Sequence, residues 1–360
     1  MNKKHALIQT CAPDYRQNIF NYLLDNIEGF EIYSGNEYYV QSVKAAKNDR
    51  IYWVENYFFL KRNILFQKLP FLKIIQKKTV IIEFNPRNIS LYLILFSRIL
   101  LNKKTFLWGH AWARSGRKSK SELLRYALKL ICSGIITYTK KEAAEIQQQL
   151  PKKKIYTAAN ALFFSEQLKP THINSNKIDN FIYVGRLVEE KKIMLLIKAF
   201  HLAIPNISEE TQLLVIGNGD VFNSIKRYID ENNVFNRIKL LGHISNFEDL
   251  NLYYSRSIAS VSPGYVGLSI TQSLGFGVPM IFSKNENHAP EIEAAKSGFN
   301  SIAFQTNSVE ALSKTIQTVL ENKNSWINKR KEISEDCRNK YSIEKMAEPF
   351  LEITHNFDAS

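Results

Sequence analysis

Short apolar runs alternate with segments of helical spacing from end to end of this sequence, and no other feature constrains its fold as much. Nine runs read as strands, at residues 6–9, 79–84, 105–108, 135–138, 180–184, 212–216, 238–241, 258–261 and 278–282. Helical patterns lie between most of them. Repeated strand-then-helix order argues for parallel sheets covered on both faces. A chain of 360 residues is too long for one core, since domains run to roughly 100–200 residues. Residues 166–180 (EQLKPTHINSNKIDN) are polar, contain Pro170 and lack helical periodicity, so they read as a linker. The expectation is an N-terminal domain over 1–165, the linker over 166–180, and a second α/β domain over 181–340. Two such domains leave a cleft between them. Open parallel sheets bind ligands outside the carboxyl ends of their strands, so function is sought just after strands.

Charge divides the chain the same way. Residues 1–165 hold 27 Lys and Arg against 11 Asp and Glu, whereas residues 166–360 hold 21 against 23. A basic first half suits an anionic partner, and nucleic acid and an anionic membrane leaflet both qualify. No recognition helix or stacking motif for nucleic acid accompanies the charge, so no nucleic-acid partner is expected. Residues 114–131 combine Arg114, Arg117, Lys118, Lys120, Arg125 and Lys129 with Leu123, Leu124, Ala127, Leu128 and Ile131. The apolar set falls on one helix face. Such a helix either faces the core with a solvated basic side or lies in a membrane interface.

Three cysteines, Cys11, Cys132 and Cys337, stand far apart, with neither disulfide nor zinc spacing, and read as reduced structural thiols. No secretory signal is visible, and the most apolar stretch, 89–101, is interrupted by Arg98 and falls short of the about 20 residues of a span. A cytoplasmic protein is expected, free or resting on the inner face of the cell membrane.

Four segments after strands carry chemistry. The first is Val184-Gly185-Arg186-Leu187-Val188-Glu189-Glu190-Lys191, a glycine turn and two cations suited to a diphosphate. The second, Ile216-Gly217-Asn218-Gly219-Asp220, reads as strand-to-helix architecture with Asp220 as an N-cap. The third, Leu241-Gly242-His243-Ile244, can present backbone groups to a base. The fourth runs from Ser262 to Pro279, with a glycine-rich turn and a short helix starting near Leu268, where free N–H groups favour an anion.

In this order the motifs, closed by Pro290-Glu291, resemble the C-terminal domain of glycosyltransferase family 4, from Val184 to Gly298. The resemblance implies an α/β GT-B fold, two Rossmann-like parallel-sheet domains facing across a cleft. It implies a retaining glycosyltransferase that draws on a nucleotide-diphosphate sugar, a UDP-sugar rather than a GDP- or dTDP-sugar, with no cofactor. No Asp-x-Asp triplet occurs, so no metal is expected. His110, in Trp108-Gly109-His110, matches the family's active-site histidine and joins Arg186 and Lys191 as the catalytic set. Gly242, Ile244, Gly267, Leu268, Ser269, Gln272, His288 and Glu291 are the donor-binding set. Asp14, Tyr15 and Arg16, in the loop after the first strand, lie on the acceptor side. Residues 341–360 look like the terminal helix that packs back on the first domain, with Ile343, Met346, Ala347, Phe350, Leu351 and Ile353 as its apolar side. The family's two glutamates, eight positions apart, are replaced here by Gly264 and Gln272. Gln272 can still bond a ribose hydroxyl, without charge assistance. The basic first domain then suits a saccharide acceptor, lipid-linked and anionic. The Lys-, Asn- and Ile-rich composition points to an AT-rich bacterial genome, and with such an acceptor the expected setting is bacterial surface polysaccharide synthesis, O-antigen or capsule. The loss of both glutamates leaves one alternative, a non-catalytic GT-B protein that binds a nucleotide sugar or a partner.

Overall fold

The computed structural model describes residues 4–39, 45–113, 116–170 and 178–358. The chain forms two units, Met1–Leu162 with Ile343–Ser360, and Phe163–Ser342. In the first, the strands are β1 (His5–Cys11), β2 (Phe30–Gly35), β3 (Tyr52–Val54), β4 (Asn56–Phe59), β5 (Ile64–Gln67), β6 (Thr79–Glu83), β7 (Lys104–Trp108), β8 (Gly134–Thr137) and β9 (Lys154–Thr157). Its helices are α1 (Gln17–Asn26), α2 (Phe71–Ile75), α3 (Ile89–Leu100), α4 (Glu122–Ile131) and α5 (Lys140–Gln149). Seven strands make a parallel sheet in the order β3-β2-β1-β6-β7-β8-β9, and β4–β5 is a separate antiparallel hairpin.

The second unit holds β10 (Asn180–Val184), β11 (Leu213–Ile216), β12 (Ile238–Gly242), β13 (Ser257–Ser262), β14 (Met280–Ser283) and β15 (Ser301–Phe304). Around them lie α6 (Ile193–Ala203), α7 (Phe222–Glu231), α8 (Phe247–Ser255), α9 (Ser269–Gly275), α10 (Val309–Glu321), α11 (Lys323–Asn328) and α12 (Arg330–Tyr341). This sheet is also parallel, in the order β12-β11-β10-β13-β14-β15.

The central strands form from apolar residues and small or hydrogen-bonding polar ones that can be buried on both faces. Every residue of β1, β8, β11 and β13 is buried, as a sheet covered on both faces requires. In the first unit one core joins Ala6, Ile8, Val80, Ile82, Leu107 and Ile135 of the sheet to α3, α4 and α5. The final helix, α13 (Ile343–Asp358), belongs to this unit, packing on α1 and placing Phe350 edge-on against Trp108 at 4.9 Å.

Several sequence expectations are corrected. The first unit closes at Leu162. Part of the expected linker is anchored, because Phe163 packs on Phe247 and Phe276 and Leu168 lies against Gly275. Residues 171–177 of that segment, and Arg114, lie outside the described residues. Strands β2, β3, β9 and β15 of the parallel sheets were not expected, nor was the β4–β5 hairpin. β2 carries a charge at its second residue, Glu31, buried against Lys73 at 2.8 Å and Lys77 at 2.5 Å, which interrupts its apolar run. The other three are short strands at or beside sheet edges. Arg98, which interrupts the most apolar stretch, is fully buried and donates to the carbonyls of Ile74, Ile75, Lys77, Lys78 and Lys104. It satisfies orphaned carbonyls that would otherwise be costly to bury. Asp220 does not cap α7, which begins after Val221 without a side-chain cap. Of the two readings of residues 114–131, the core-facing one fails, because α4 turns most of its apolar set outward. Of the apolar set only Leu128 is buried, Leu123, Leu124, Ala127 and Ile131 are exposed, and Lys129 is buried.

Candidate active site

Both sheets reverse their strand order in the middle, and this places the candidate residues. In the second unit the chain runs outward from β10 through β11 to β12, then restarts at β13 and runs the other way. The loops after β10 and β13 therefore diverge from a topological switch point, where open α/β sheets bind ligands. Arg186 and Lys191 follow β10, and Gly264 to Ser269 follow β13.

The loop after β10 is held from three sides. Tyr183 Oη donates to the Arg186 carbonyl at 2.8 Å, and Gly185 N donates to the Ile216 carbonyl at 3.0 Å. Leu187 N donates to the Asn218 carbonyl at 2.9 Å. The Gly217-Asn218-Gly219 turn permits this approach. A Cβ on Gly217 would stand 1.9 Å from the Gly185 carbonyl oxygen, and one on Gly219 2.4 Å from that of Leu187. Both glycines also have positive φ, 149° and 155°. These glycines thus serve the neighbouring cation loop.

Lys191 ends a 3-10 turn, Glu189–Lys191, and donates to the Tyr265 carbonyl at 2.6 Å, with its ammonium 4.3 Å from the Tyr265 ring. Burial, and then the Arg186 charge, lower its pKa to about 8, against the pull of Glu291 and Glu190. Arg186 is exposed and Glu291 is buried, so a cation at the surface and a carboxylate beneath act on one lysine.

Gly264 has a physical reason of its own. Its Cβ position lies 2.4 Å from the Glu190 carbonyl oxygen and 2.9 Å from the Lys191 carbonyl carbon. Tyr265 N donates to the same Glu190 carbonyl at 3.2 Å. The cation loop has closed over the position, leaving no space for any side chain. Gln272 is buried within α9. His288 accepts from Val266 N at 3.0 Å through Nδ1 and bonds the Ser283 carbonyl at 2.8 Å through Nε2. Both ring nitrogens are thus engaged with backbone, and burial lowers its pKa, so it braces the glycine loop instead of presenting a hydrogen bond to a sugar. Gly267, Leu268 and Ser269 lead from that loop into α9. Gly242 ends β12 with φ 73° and accepts from Gly217 N at 2.7 Å, and Ile244 packs on the neighbouring core.

The first unit has its own switch point, between β1 and β6. There Thr10 N donates to Glu83 Oε2 at 2.7 Å. Burial raises the Glu83 pKa, outweighing the Thr10 hydrogen bonds and the charges of Arg16 and Arg87. The sequence reading missed Glu83; its only signal is an acid closing an apolar strand. His110 follows β7, exposed, with its ring 4.9 Å from that of Tyr138 and Nδ1 3.5 Å from Glu142 Oε1. Asp14 and Tyr15 are exposed, but Arg16 turns inward. Its guanidinium lies 4.6 Å over Trp108 and 5.2 Å over Tyr138 and donates to Asn160 at 3.0 Å. Arg16 therefore holds the floor of this site together. Among the described residues no group of three or more His, Cys, Asp or Glu side chains is placed to hold a metal ion.

Two parallel sheets, each with polar groups at its switch point, define the GT-B class, and solved structures share the arrangement. UDP-bound HepE from Anabaena matches with a TM-score of 0.69 at 11% identity, over 98% of this chain and 100% of that one. The apo lipopolysaccharide outer core galactosyltransferase WaaB matches with 0.60 at 16%, over 94% and 98%. A mutant of S. aureus TarM in complex with fondaparinux, alpha-GlcNAc-glycerol and UDP matches with 0.56 at 16%, over 86% of this chain, which spans 66% of the length of that one. No curated protein matches the chain in sequence. Residues 164–340 match the family described as glycosyl transferases group 1. That segment, just under half of the chain, places the second unit in glycosyltransferase family 4.

Proposed function

We propose that the protein transfers a sugar from a nucleotide-diphosphate sugar to a saccharide acceptor with retention of configuration and without a metal. The observation that carries this reading is the meeting of Arg186, Lys191 and Glu291 at the switch point between β10 and β13. An ammonium that burial and a neighbouring cation already disfavour gains most from a bound anion. Arg186 and Lys191 then stabilise the departing diphosphate, the place where charge develops. In same-face substitution the bond from C1 to the phosphate oxygen breaks and a bond from C1 to the acceptor oxygen forms. The acceptor proton passes to the leaving phosphate. Such a step needs no protein nucleophile.

Glu291 and the backbone of Gly267 to Ser269 hold the sugar and phosphates, Gln272 the ribose, and Gly242 and Ile244 the base. His110 orients the sugar or polarises its hydroxyls. Asp14, Tyr15 and Glu83 line the acceptor side. UDP bound in HepE and TarM favours a UDP-sugar. The basic first half suits a lipid-linked, anionic acceptor at the cytoplasmic membrane face, and WaaB, named for lipopolysaccharide, favours a role in bacterial surface polysaccharide. The occupied Gly264 position favours a second reading, a binder without turnover. A thermal-shift screen of UDP-, GDP- and dTDP-sugars, followed by donor hydrolysis, separates the two. UDP-sugars are expected to raise Tm most and to be consumed. A shift without consumption supports the binder, and no shift with any donor contradicts both.

A further inference from the structure

The outward surface of α3 and α4 is apolar where water should meet a polar helix. On α3, Leu93, Phe96 and Leu100 are exposed at helical spacing, Leu100 to 88%. On α4, Leu123 is 81% exposed, and Leu130, two turns on, is exposed too. The opposite sides of both helices, through Leu91, Ile94, Leu95 and Leu128, enter one core cluster, so the two stripes share one side of the first unit. Lys129 of α4 is meanwhile fully buried, 4.0 Å from the Trp112 ring, and burial lowers its pKa to about 8. A helix that hides its lysine and displays its leucines is set against water, and an apolar surface of this kind marks a contact face.

Charge says what the contact is with. Residues 61–165 hold 21 Lys and Arg but four acidic residues, Glu83, Glu122, Glu142 and Glu145. Each carboxylate is turned to a partner inside the unit, to the amides of Thr10, Ala113 and Ala111 and to the Trp112 indole with Arg117. Exposed lysines flank the two helices, Lys104 opening β7 just after α3, and Lys118 and Lys120 just before α4. The surface is therefore apolar, edged by cations, with its nearby carboxylates engaged elsewhere. We propose that the α3–α4 surface seats in the headgroup region of an anionic lipid leaflet, its leucines and Phe96 entering the acyl boundary and its lysines meeting the headgroups. A second copy of this surface would bring lysines against lysines, which disfavours self-pairing. Among the described residues no helix is long and apolar enough to cross a membrane, so this contact is with one leaflet.

The test is sedimentation with vesicles of phosphatidylcholine alone or mixed with phosphatidylglycerol, at low and high salt. Wild type is expected to partition onto the anionic vesicles at least about tenfold better than onto neutral ones at low salt, and to lose that preference in high salt. Phe96→Ser/Leu100→Ser/Leu123→Ser is expected to bind anionic vesicles about tenfold less, with unchanged circular dichroism and donor hydrolysis. Leu100→Ser alone, at the most exposed position, should show part of the same loss. Equal binding to both vesicle types, or a triple variant that binds like wild type, overturns the proposal. A dimer by light scattering that the triple variant abolishes, with no vesicle binding, overturns it in favour of self-association. Vesicle binding is read without substrate, so it stands or falls apart from glycosyl transfer.

Discussion

Lys191 shows how one residue's surroundings set its use. Burial and Arg186 bring its pKa to about 8, so in the free protein it loses its charge as pH rises through that value. A neutral amine cannot hold a diphosphate. kcat/KM for the donor should fall above about pH 8, and the matching limb of kcat should lie higher, because a bound diphosphate keeps the ammonium charged. Lys191→Arg should remove the limb from the free-enzyme profile; coincident limbs in both parameters would contradict this. Gly264 gives a second prediction at the same scale. With the Glu190 carbonyl 2.4 Å from its Cβ position, Gly264→Glu should lower stability by about 1–3 kcal/mol and bring no gain in activity. Thermal melts and donor hydrolysis of Gly264→Glu beside Gln272→Glu check it, and a more active Gly264→Glu would contradict it. The sequence showed Arg186 and Lys191 because they sit in an ordered set of motifs. It did not show Glu83, whose place depends on β1 and β6 pairing although Thr10 and Glu83 stand 73 residues apart. Nor could it show that His288 spends both ring nitrogens on backbone or that Arg16 turns inward. Those facts depend on contacts distant in sequence.

At the scale of elements, the buried central strands were legible because both faces are covered and their runs are largely apolar, with no charged residue in β1, β11 or β13 other than His5 at one end. Strands β2, β3, β9 and β15 were not, because a buried ion pair or a brief edge position leaves no such run. Helix α4 marks the limit of periodicity, which gives a face but not its direction. Its buried Lys129 yields a test. Between about pH 8, where the folded lysine titrates, and the ordinary lysine range, the unfolded chain binds more protons than the folded one. Wild-type stability therefore gains with rising pH across that window. Lys129→Met lacks this dependence. It should equal or exceed wild type in Tm at pH 7, and its advantage should shrink toward pH 10. Thermal melts at both pH values check the sign, and an advantage that grows with pH would contradict it.

For the molecule as a whole, the charge division and two-sheet architecture were both readable, one from counts and one from strand–helix alternation. The boundary was less so, since Phe163 and Leu168 pack into the second unit from a stretch whose composition suggests a linker. The proposed chemistry places all stabilisation of the leaving group on Arg186, Lys191 and backbone, so activity should be unchanged by EDTA. Loss with EDTA that Mn²⁺ or Mg²⁺ restores would contradict that. The most direct test of the central claim is UDP release from UDP-sugars by the purified protein, wild type beside Arg186→Ala and Lys191→Ala. The account predicts turnover by wild type and a fall in kcat/KM of about 10²–10³ in each variant, the scale for removing one transition-state charge stabiliser. Turnover in both variants close to that of wild type, or none in any of the three proteins, would contradict it.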